Sequence, residues 1–232
     1  MSKTALITGA NRGIGRAIAL KLADLGYNLF LMARDSDALA AVAAECDDKA
    51  VGTAWLAGEL TQERYMEKAI ADAQKRFGFI DVLINNAGGA THAAVHEADL
   101  AQWRSILDLN FNAALYLSRH LLPEMVAKQQ GTIINISSIS GRTTNAGGAI
   151  YSATKHALNG FSGCMYEDVR DYGVKVSTIM PGFVDTDLTQ GMGMQGNKMI
   201  QPSDVAESVA YVLSASAYCC PTEIVLRPQR RP

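Results

Sequence analysis

At 232 residues, with 48% hydrophobic and 19% charged residues, the chain is long enough to bury the core of one large α/β domain and too apolar for a disordered segment. Its net charge of −2 gives no general attraction to nucleic acid or to an anionic membrane, and no apolar run approaches the ~20 residues of a membrane span. Residues 1–4 lead straight into an apolar segment without a separate signal-peptide core, so a cytoplasmic setting is expected.

Residues 3–8 read as a short buried strand, followed by Gly9-Ala10-Asn11-Arg12-Gly13-Ile14-Gly15. Ile14, Ile18, Leu22 and Leu25 then recur at helical spacing until Gly26 stops the helix. Strand, glycine-rich turn and helix together present unpaired backbone N–H groups to a phosphate, and glycine lets the backbone come close to a pyrophosphate. Residues 28–33 form a second strand, where a dinucleotide fold meets the adenosine ribose. A carboxylate there suits a free 2′-hydroxyl, but Arg34 occupies the turn and Arg12 sits in the glycine loop. Two guanidiniums on one phosphate favour NADP(H) over NAD(H). The other reading of Arg34 pairs it with Asp35 or Asp37 in solvent.

Further along, helices are expected over residues 35–45 and from a Thr61 N-cap to Phe77-Gly78, flanking a strand at 51–60. A fourth strand at 80–84 runs into Asn85-Asn86-Ala87-Gly88-Gly89, where two amides can tie neighbouring backbones together or make an ordinary turn. A loop (90–98), one long helix (99–128, despite Pro123), a strand (132–137) and a small-residue loop (138–148) follow. The next helix reaches about residue 172, a sixth strand spans 174–179, and Met180-Pro181-Gly182 closes it. Ser203 caps a helix to Ser214, and residues 222–226 make the seventh strand. This alternation, without repeats or linkers, predicts a single α/β domain: a doubly wound parallel sheet with helices on both faces. Ligands of such sheets sit at the carboxyl ends of the strands, where the glycine turn, Asn85-Asn86, Ser138 and Pro181-Gly182 all fall.

Tyr151 and Lys155 stand four apart near the start of a helix, so both side chains leave one face. A phenol titrates near ~10, and a neighbouring ammonium favours the phenolate. Tyr151 is therefore a candidate acid/base with Lys155 as its tuner. Cys46, Cys164, Cys219 and Cys220 show neither metal-ligand spacing nor a disulfide framework. Cys219 and Cys220 are expected to be two reduced thiols.

The stretches Thr8-Gly9-Ala10-Asn11-Arg12-Gly13-Ile14-Gly15, Asn85-Asn86-Ala87-Gly88, Asn110, Ser138, Tyr151-x-x-x-Lys155 and Pro181-Gly182 with Thr186 match, in order and spacing, those of one family. Over essentially its whole length the chain resembles the short-chain dehydrogenase/reductase family. The resemblance implies one Rossmann-type domain over residues 1–232. Its cofactor part is about residues 1–130, its catalytic and substrate part about 131–232, and its lid about 188–199. It implies a catalytic set in which Tyr151 exchanges a proton with a carbonyl oxygen as hydride passes to or from the nicotinamide. Lys155 lowers the tyrosine's pKa and binds the ribose, Ser138 donates to the substrate oxygen, and Asn110 holds a water that resupplies protons. It also implies a cofactor site of Gly9, Asn11, Arg12, Gly13, Ile14, Gly15, Arg34, Glu59, Leu60, Asn86, Ala87, Gly88, Tyr151, Lys155, Pro181, Gly182, Val184 and Thr186. Glu59 stands where many relatives carry an aspartate that holds the adenine. Family members are commonly homotetramers (a homodimer is the other form expected), with the helices around Trp103–Met125 and Tyr151–Tyr172 at the contacts.

Specificity is expected from loops 89–98 and 141–150 and from the lid, where Met192, Met194 and Met199 alternate with Gly191, Gly193 and Gly196. Arg142 either recognises an anionic substrate or faces solvent. His92 and His96 line the pocket mouth and are not expected to bind metal, for want of further ligands. Well-known relatives reduce 3-oxoacyl chains on an acidic carrier protein. Lys128 is followed by Gln129-Gln130 and the catalytic helix ends in Asp171-Tyr172, a thin basic patch, so a free small carbonyl or alcohol ranks above a carrier-bound one. The competing functions are a non-catalytic NADP-binding regulator, which needs no acid/base, and a sugar epimerase, which needs a larger C-terminal substrate domain.

Overall fold

Strand β1 (Thr4–Thr8) is buried at every position, as a parallel strand covered on both faces must be. The computed structural model describes residues 2–47, 49, 52–190 and 193–232. Around β1 the strands β2 (Asn28–Ala33), β3 (Thr53–Ala57), β4 (Val82–Asn85), β5 (Gly131–Ile136), β6 (Val174–Pro181) and β7 (Glu223–Leu226) form one sheet in the order β3-β2-β1-β4-β5-β6-β7. Every pairing is parallel. The order reverses between β1 and β4, which opens a crevice at their carboxyl ends.

Alternate residues of the strands feed two cores. Ile7, Leu31, Ile84 and Ile134 pack under α1 (Gly13–Asp24), α2 (Ser36–Asp47) and α7 (Pro202–Ser214). Leu6, Phe30, Leu83 and Ile133 pack under α3 (Glu63–Phe77), α5 (Ala113–Lys128) and α6 (Ala149–Val169). This is the expected doubly wound fold. Among the described residues no helix is long and apolar enough to cross a membrane.

Three boundaries differ from the sequence expectation. The α3 N-cap is Gln62, without a side-chain cap bond, rather than Thr61. The α7 N-cap is Gln201 rather than Ser203, because Pro202 takes the first helical position and the Asp204 carboxylate accepts from the Gln201 N–H at 2.8 Å. The long helix expected over 99–128 is divided: α4 (Leu100–Leu107) passes through a π-turn at Asp108–Asn112 into α5. A π-turn inserts one residue into the helical ladder, and such turns recur at functional sites. Of the expected β3 strand, Val51 lies outside the described residues, as do Gly191 and Met192 of the lid. The rest of the lid carries a short 3₁₀ turn (Gly196–Lys198) and a bridge from Val184 to Ile200.

Candidate active site

The turn between β1 and α1 is too tight for a side chain at its glycines. A Cβ on Gly15 would lie 2.0 Å from the Gly9 carbonyl oxygen and 2.6 Å from the Asn86 Nδ2. Gly13 has a φ of +52°, in the left-handed region that favours glycine. The turn is bound to the end of β4. Asn86 Nδ2 donates to the carbonyls of Thr8 (2.9 Å) and Gly9 (3.2 Å), while Thr8 Oγ1 accepts from the N–H groups of Asn86 and Ala87 (both 3.0 Å). The two asparagines divide the work expected of them. Asn86 ties backbones, whereas Asn85 donates to Asn135 Oδ1 at 2.8 Å and to Ser118 Oγ at 3.3 Å inside the core.

Beside this turn opens a cleft of about 1070 Å³. Gly9, Asn11, Arg12, Gly13, Ile14, Gly15, Arg34, Glu59, Leu60, Asn86, Ala87, Gly88 and Thr186 all line it. Its floor is the glycine turn, packed too closely for a Cβ at Gly15 and with Gly13 facing Thr186 at the opening, so the residues present fit the diphosphate of a dinucleotide. Arg12 bonds Asp187 across the cleft at 2.5 Å. Arg34 lies 3.9 Å from Glu59 and is 72% exposed. It has no bond to Asp35 or Asp37; Asp35 instead caps α2 by accepting from the Ala38 N–H at 3.0 Å. Pro181 and Val184 are buried and do not line the cleft; Val184 is packed in the core, and its carbonyl accepts from Thr189 Oγ1 at 2.6 Å. Gly182 is fixed by its N–H to the Leu226 carbonyl, at 2.8 Å.

Tyr151 and Lys155 leave one face of α6 and are not among the residues that line the cleft; Lys155 Nζ comes close to Gly88, which does line it. Lys155 is buried, its Nζ donates to the Ile136 carbonyl at 2.9 Å, and it lies 5.8 Å from the centre of the Tyr151 ring. Burial pushes its pKa down to about 8. The Tyr151 pKa is raised by burial, with the neighbouring Ser138 hydroxyl pulling the other way. The expected lowering of Tyr151 by Lys155 is therefore not what the structure displays. Burial is the larger cause and the Ser138 hydroxyl the opposing one, while the Lys155 ammonium is turned to the Ile136 carbonyl. Ser138 Oγ accepts from the Ser140 N–H at 3.1 Å, which leaves its own proton free to donate.

Asn110 sits within the π-turn, buried, and its amide is committed. Oδ1 accepts from the Gly89 N–H (2.8 Å), and Nδ2 donates to the Gly89 carbonyl (2.9 Å) and to Thr154 Oγ1 (3.2 Å). Thr154 in turn donates to the Tyr151 carbonyl at 2.8 Å. One amide thus holds the strand-end loop against the helix that carries Tyr151. Gly88 connects this group to the cleft, because a Cβ there would lie 3.3 Å from Asn110 Oδ1 and 3.7 Å from Lys155 Nζ.

Other candidates fall elsewhere. Arg142 is ion-paired with Glu223 of β7, not turned to a substrate. His92 lies over Gly147, whose carbonyl accepts from the Ala93 N–H at 3.0 Å, so loops 89–98 and 141–150 are joined. His96 faces solvent beside Glu97. Among the described residues no group of three His, Cys, Asp or Glu side chains converges to hold a metal. Thr8 stood in the matched stretch without a role and proves to join the turn to the end of β4, whereas Asp187, 175 positions from Arg12, left no local signal.

Comparison with known proteins agrees with this geometry. Residues 3–196 match the family model described as short chain dehydrogenase. An uncharacterized oxidoreductase of Staphylococcus aureus (strain MRSA252) is 34% identical over 226 residues, 97% of each chain. Among solved structures, a metagenomic short-chain oxidoreductase in complex with NADP superposes with a TM-score of 0.87 at 32% identity, covering 99% of this chain and 98% of the other. An alcohol dehydrogenase from the archaeon Thermococcus sibiricus, complexed with 5-hydroxy-NADP, does so with a TM-score of 0.92 at 27% identity, covering 100% and 99%.

Proposed function

Since the chain belongs to the short-chain dehydrogenase family, we propose that it is an NADP(H)-dependent oxidoreductase that interconverts a small free carbonyl compound and its alcohol. The observation that supports this best is the grouping of the Tyr151 and Ser138 hydroxyls with the Lys155 ammonium, whose Nζ lies beside Gly88 of the glycine-floored cleft. A nicotinamide bound there supplies or accepts hydride. Tyr151 gives its proton to the substrate oxygen in reduction and takes it back in oxidation. Burial keeps that hydroxyl protonated at neutral pH, the form that reduction needs. Ser138 donates its free proton to the same oxygen and stabilises the charge that develops there. Lys155, with a pKa near 8, releases and regains a proton readily at neutral pH, and its two remaining protons suit a ribose hydroxyl. Asn110 keeps one lone pair of Oδ1 for a water on the route to solvent.

Two arginines on one cleft, with Asp35 spent on a helix cap, support NADP(H). Arg34→Leu is expected to raise KM for NADPH at least about tenfold and to leave KM for NADH within about twofold. Equal losses for both cofactors would remove the assignment. A free substrate is supported by the neutralised basic groups: Lys128 is engaged by Glu124 and the Phe79 ring, and Arg142 by Glu223. A turnover screen with NADPH decides this. Activity on free ketones and aldehydes is expected; activity confined to a carrier-bound acetoacetyl thioester overturns it. Assembly through α4, α5 and α6 is likewise proposed, on the apolar surface that Leu100, Leu107 and Leu115 expose. Four free thiols suit a reducing cytoplasm.

A further inference from the structure

Lys155 and Asn159 follow Tyr151 down α6 at four-residue steps, and the third member of this stripe has no role in the chemistry above. Asn159 Nδ2 donates to the Gly141 carbonyl at 3.0 Å and lies 3.5 Å from Met180 Sδ. Gly141 ends the 3₁₀ turn that begins right after Ser138, and its N–H donates back to the Ser138 carbonyl at 2.9 Å. The turn lies directly on the helix. A Cβ on Gly141 would be 2.5 Å from Asn159 Nδ2 and 2.9 Å from the Lys155 carbonyl oxygen. On the other side of Ser138, Ser137 Oγ reaches that same Lys155 carbonyl at 3.4 Å. Ser138 is therefore held to α6 from both flanks, and among the described residues Asn159 supplies the only side-chain hydrogen bond from α6 to the Gly141 side.

The other half of the Asn159 amide sharpens the point. Its Oδ1 is buried with no hydrogen-bond partner among the described residues. A buried acceptor left unpaired is destabilising, and an apolar side chain of the same size would avoid that cost. An asparagine kept at such a site is explained by what its donor holds rather than by what it adds to stability.

We propose that Asn159 is a positioning residue: by fixing the Gly141 carbonyl it sets where the Ser138 hydroxyl stands relative to Tyr151. This rests on the catalytic roles proposed above for Ser138 and Tyr151. Misplacing a donor by a fraction of an ångström weakens the bond that it makes in the transition state and leaves cofactor binding untouched.

The test is a cycle of Asn159→Leu, Ser138→Ala and the double variant, with kcat, KM for NADPH and Tm measured for each. Asn159→Leu is expected to lower kcat about tenfold or more, with KM for NADPH within about twofold and Tm unchanged or raised. In the Ser138→Ala background the same change is expected to cost less than about twofold, because the group that it positions is gone. Asn159→Asp, which keeps the shape and loses the donor at neutral pH, replaces the leucine if that variant does not fold. A kcat within twofold of wild type for both replacements, or a loss that multiplies with that of Ser138→Ala, overturns the proposal and leaves the activity standing. A Ser138→Ala enzyme as fast as wild type overturns this proposal and the catalytic reading together.

Discussion

Tyr151→Phe is expected to cut kcat by about 1,000-fold while NADPH still binds within about twofold of wild type. The substitution removes a single oxygen. The ring keeps its place on α6, and the glycine cradle and both cleft arginines make no use of the hydroxyl. What is lost is the hydroxyl proposed as the acid, which burial keeps protonated beside Ser138. Ser138 remains as a donor, but an aliphatic hydroxyl supports charge without surrendering its proton, so Ser138 cannot substitute for Tyr151. The measurement is steady-state turnover beside a fluorescence titration with NADPH. Residual turnover above about a tenth of wild type would show that the proton comes from elsewhere, such as water.

Lys155→Met is expected to stop turnover and, at pH 7, to make the protein more stable. Burial holds the Lys155 pKa at about 8 against a usual 10.5, so the folded chain carries an ammonium that it disfavours. That difference amounts to ~3 kcal/mol, and the lost bond to the Ile136 carbonyl returns ~1 of it. A net gain of ~2 kcal/mol corresponds to a rise in Tm of roughly 4–8 °C for a chain of this size. The sign follows from the direction of the shift. Below pH 8 both folded and unfolded chains are protonated and the folded one bears the full cost of the buried charge. Between pH 8 and 10.5 the unfolded chain binds more protons, so wild-type stability rises with pH relative to the variant. Above 10.5 neither state holds the proton and the advantage of the variant fades. Thermal melts of both proteins at pH 7, 9 and 10.5 check this. A variant less stable at pH 7, or a difference that ignores pH, would mean that the ammonium is solvated in the folded state. A group costly to stability yet needed for turnover is what a functional site leads one to expect.

Much of this was legible in the sequence because it is local. Each strand announced itself as an apolar run, the turn of Gly9, Gly13 and Gly15 followed the first of them, and Tyr151 and Lys155 were paired by helical spacing. Caps were less legible. Thr61 and Ser203 are good cap residues by type, but at the second position Pro202 one residue earlier and Asp204 one later decide the start of α7. The division of the helix at Asp108–Asn112 was not legible, since a π-turn uses ordinary helical residues and shifts the apolar phase by only one residue. Contacts that span the chain, Arg12 with Asp187 and Arg142 with Glu223, join segments from strands that are not neighbours and exist only once the whole sheet is assembled. The Tyr151 pKa ran against expectation for a related reason: the ammonium is visible as a neighbour four residues on, whereas burial is a property of the packed fold.

The π-turn also governs how this stretch can change over time. Each helical residue contributes about 100° of rotation, so the extra residue at Asp108–Asn112 offsets the faces of α4 and α5 by that much. Losing one residue there would restore an unbroken helix, a locally favourable change, yet it would swing Ile106 off the core or Asn110 off Gly89. Gaining one would do the same in the opposite sense. The stretch from Leu100 to Lys128 is therefore expected to tolerate insertion and deletion at the turn less well than substitution at its exposed positions. Its length, more than the identity of most of its residues, is what keeps the loop after β4 in place.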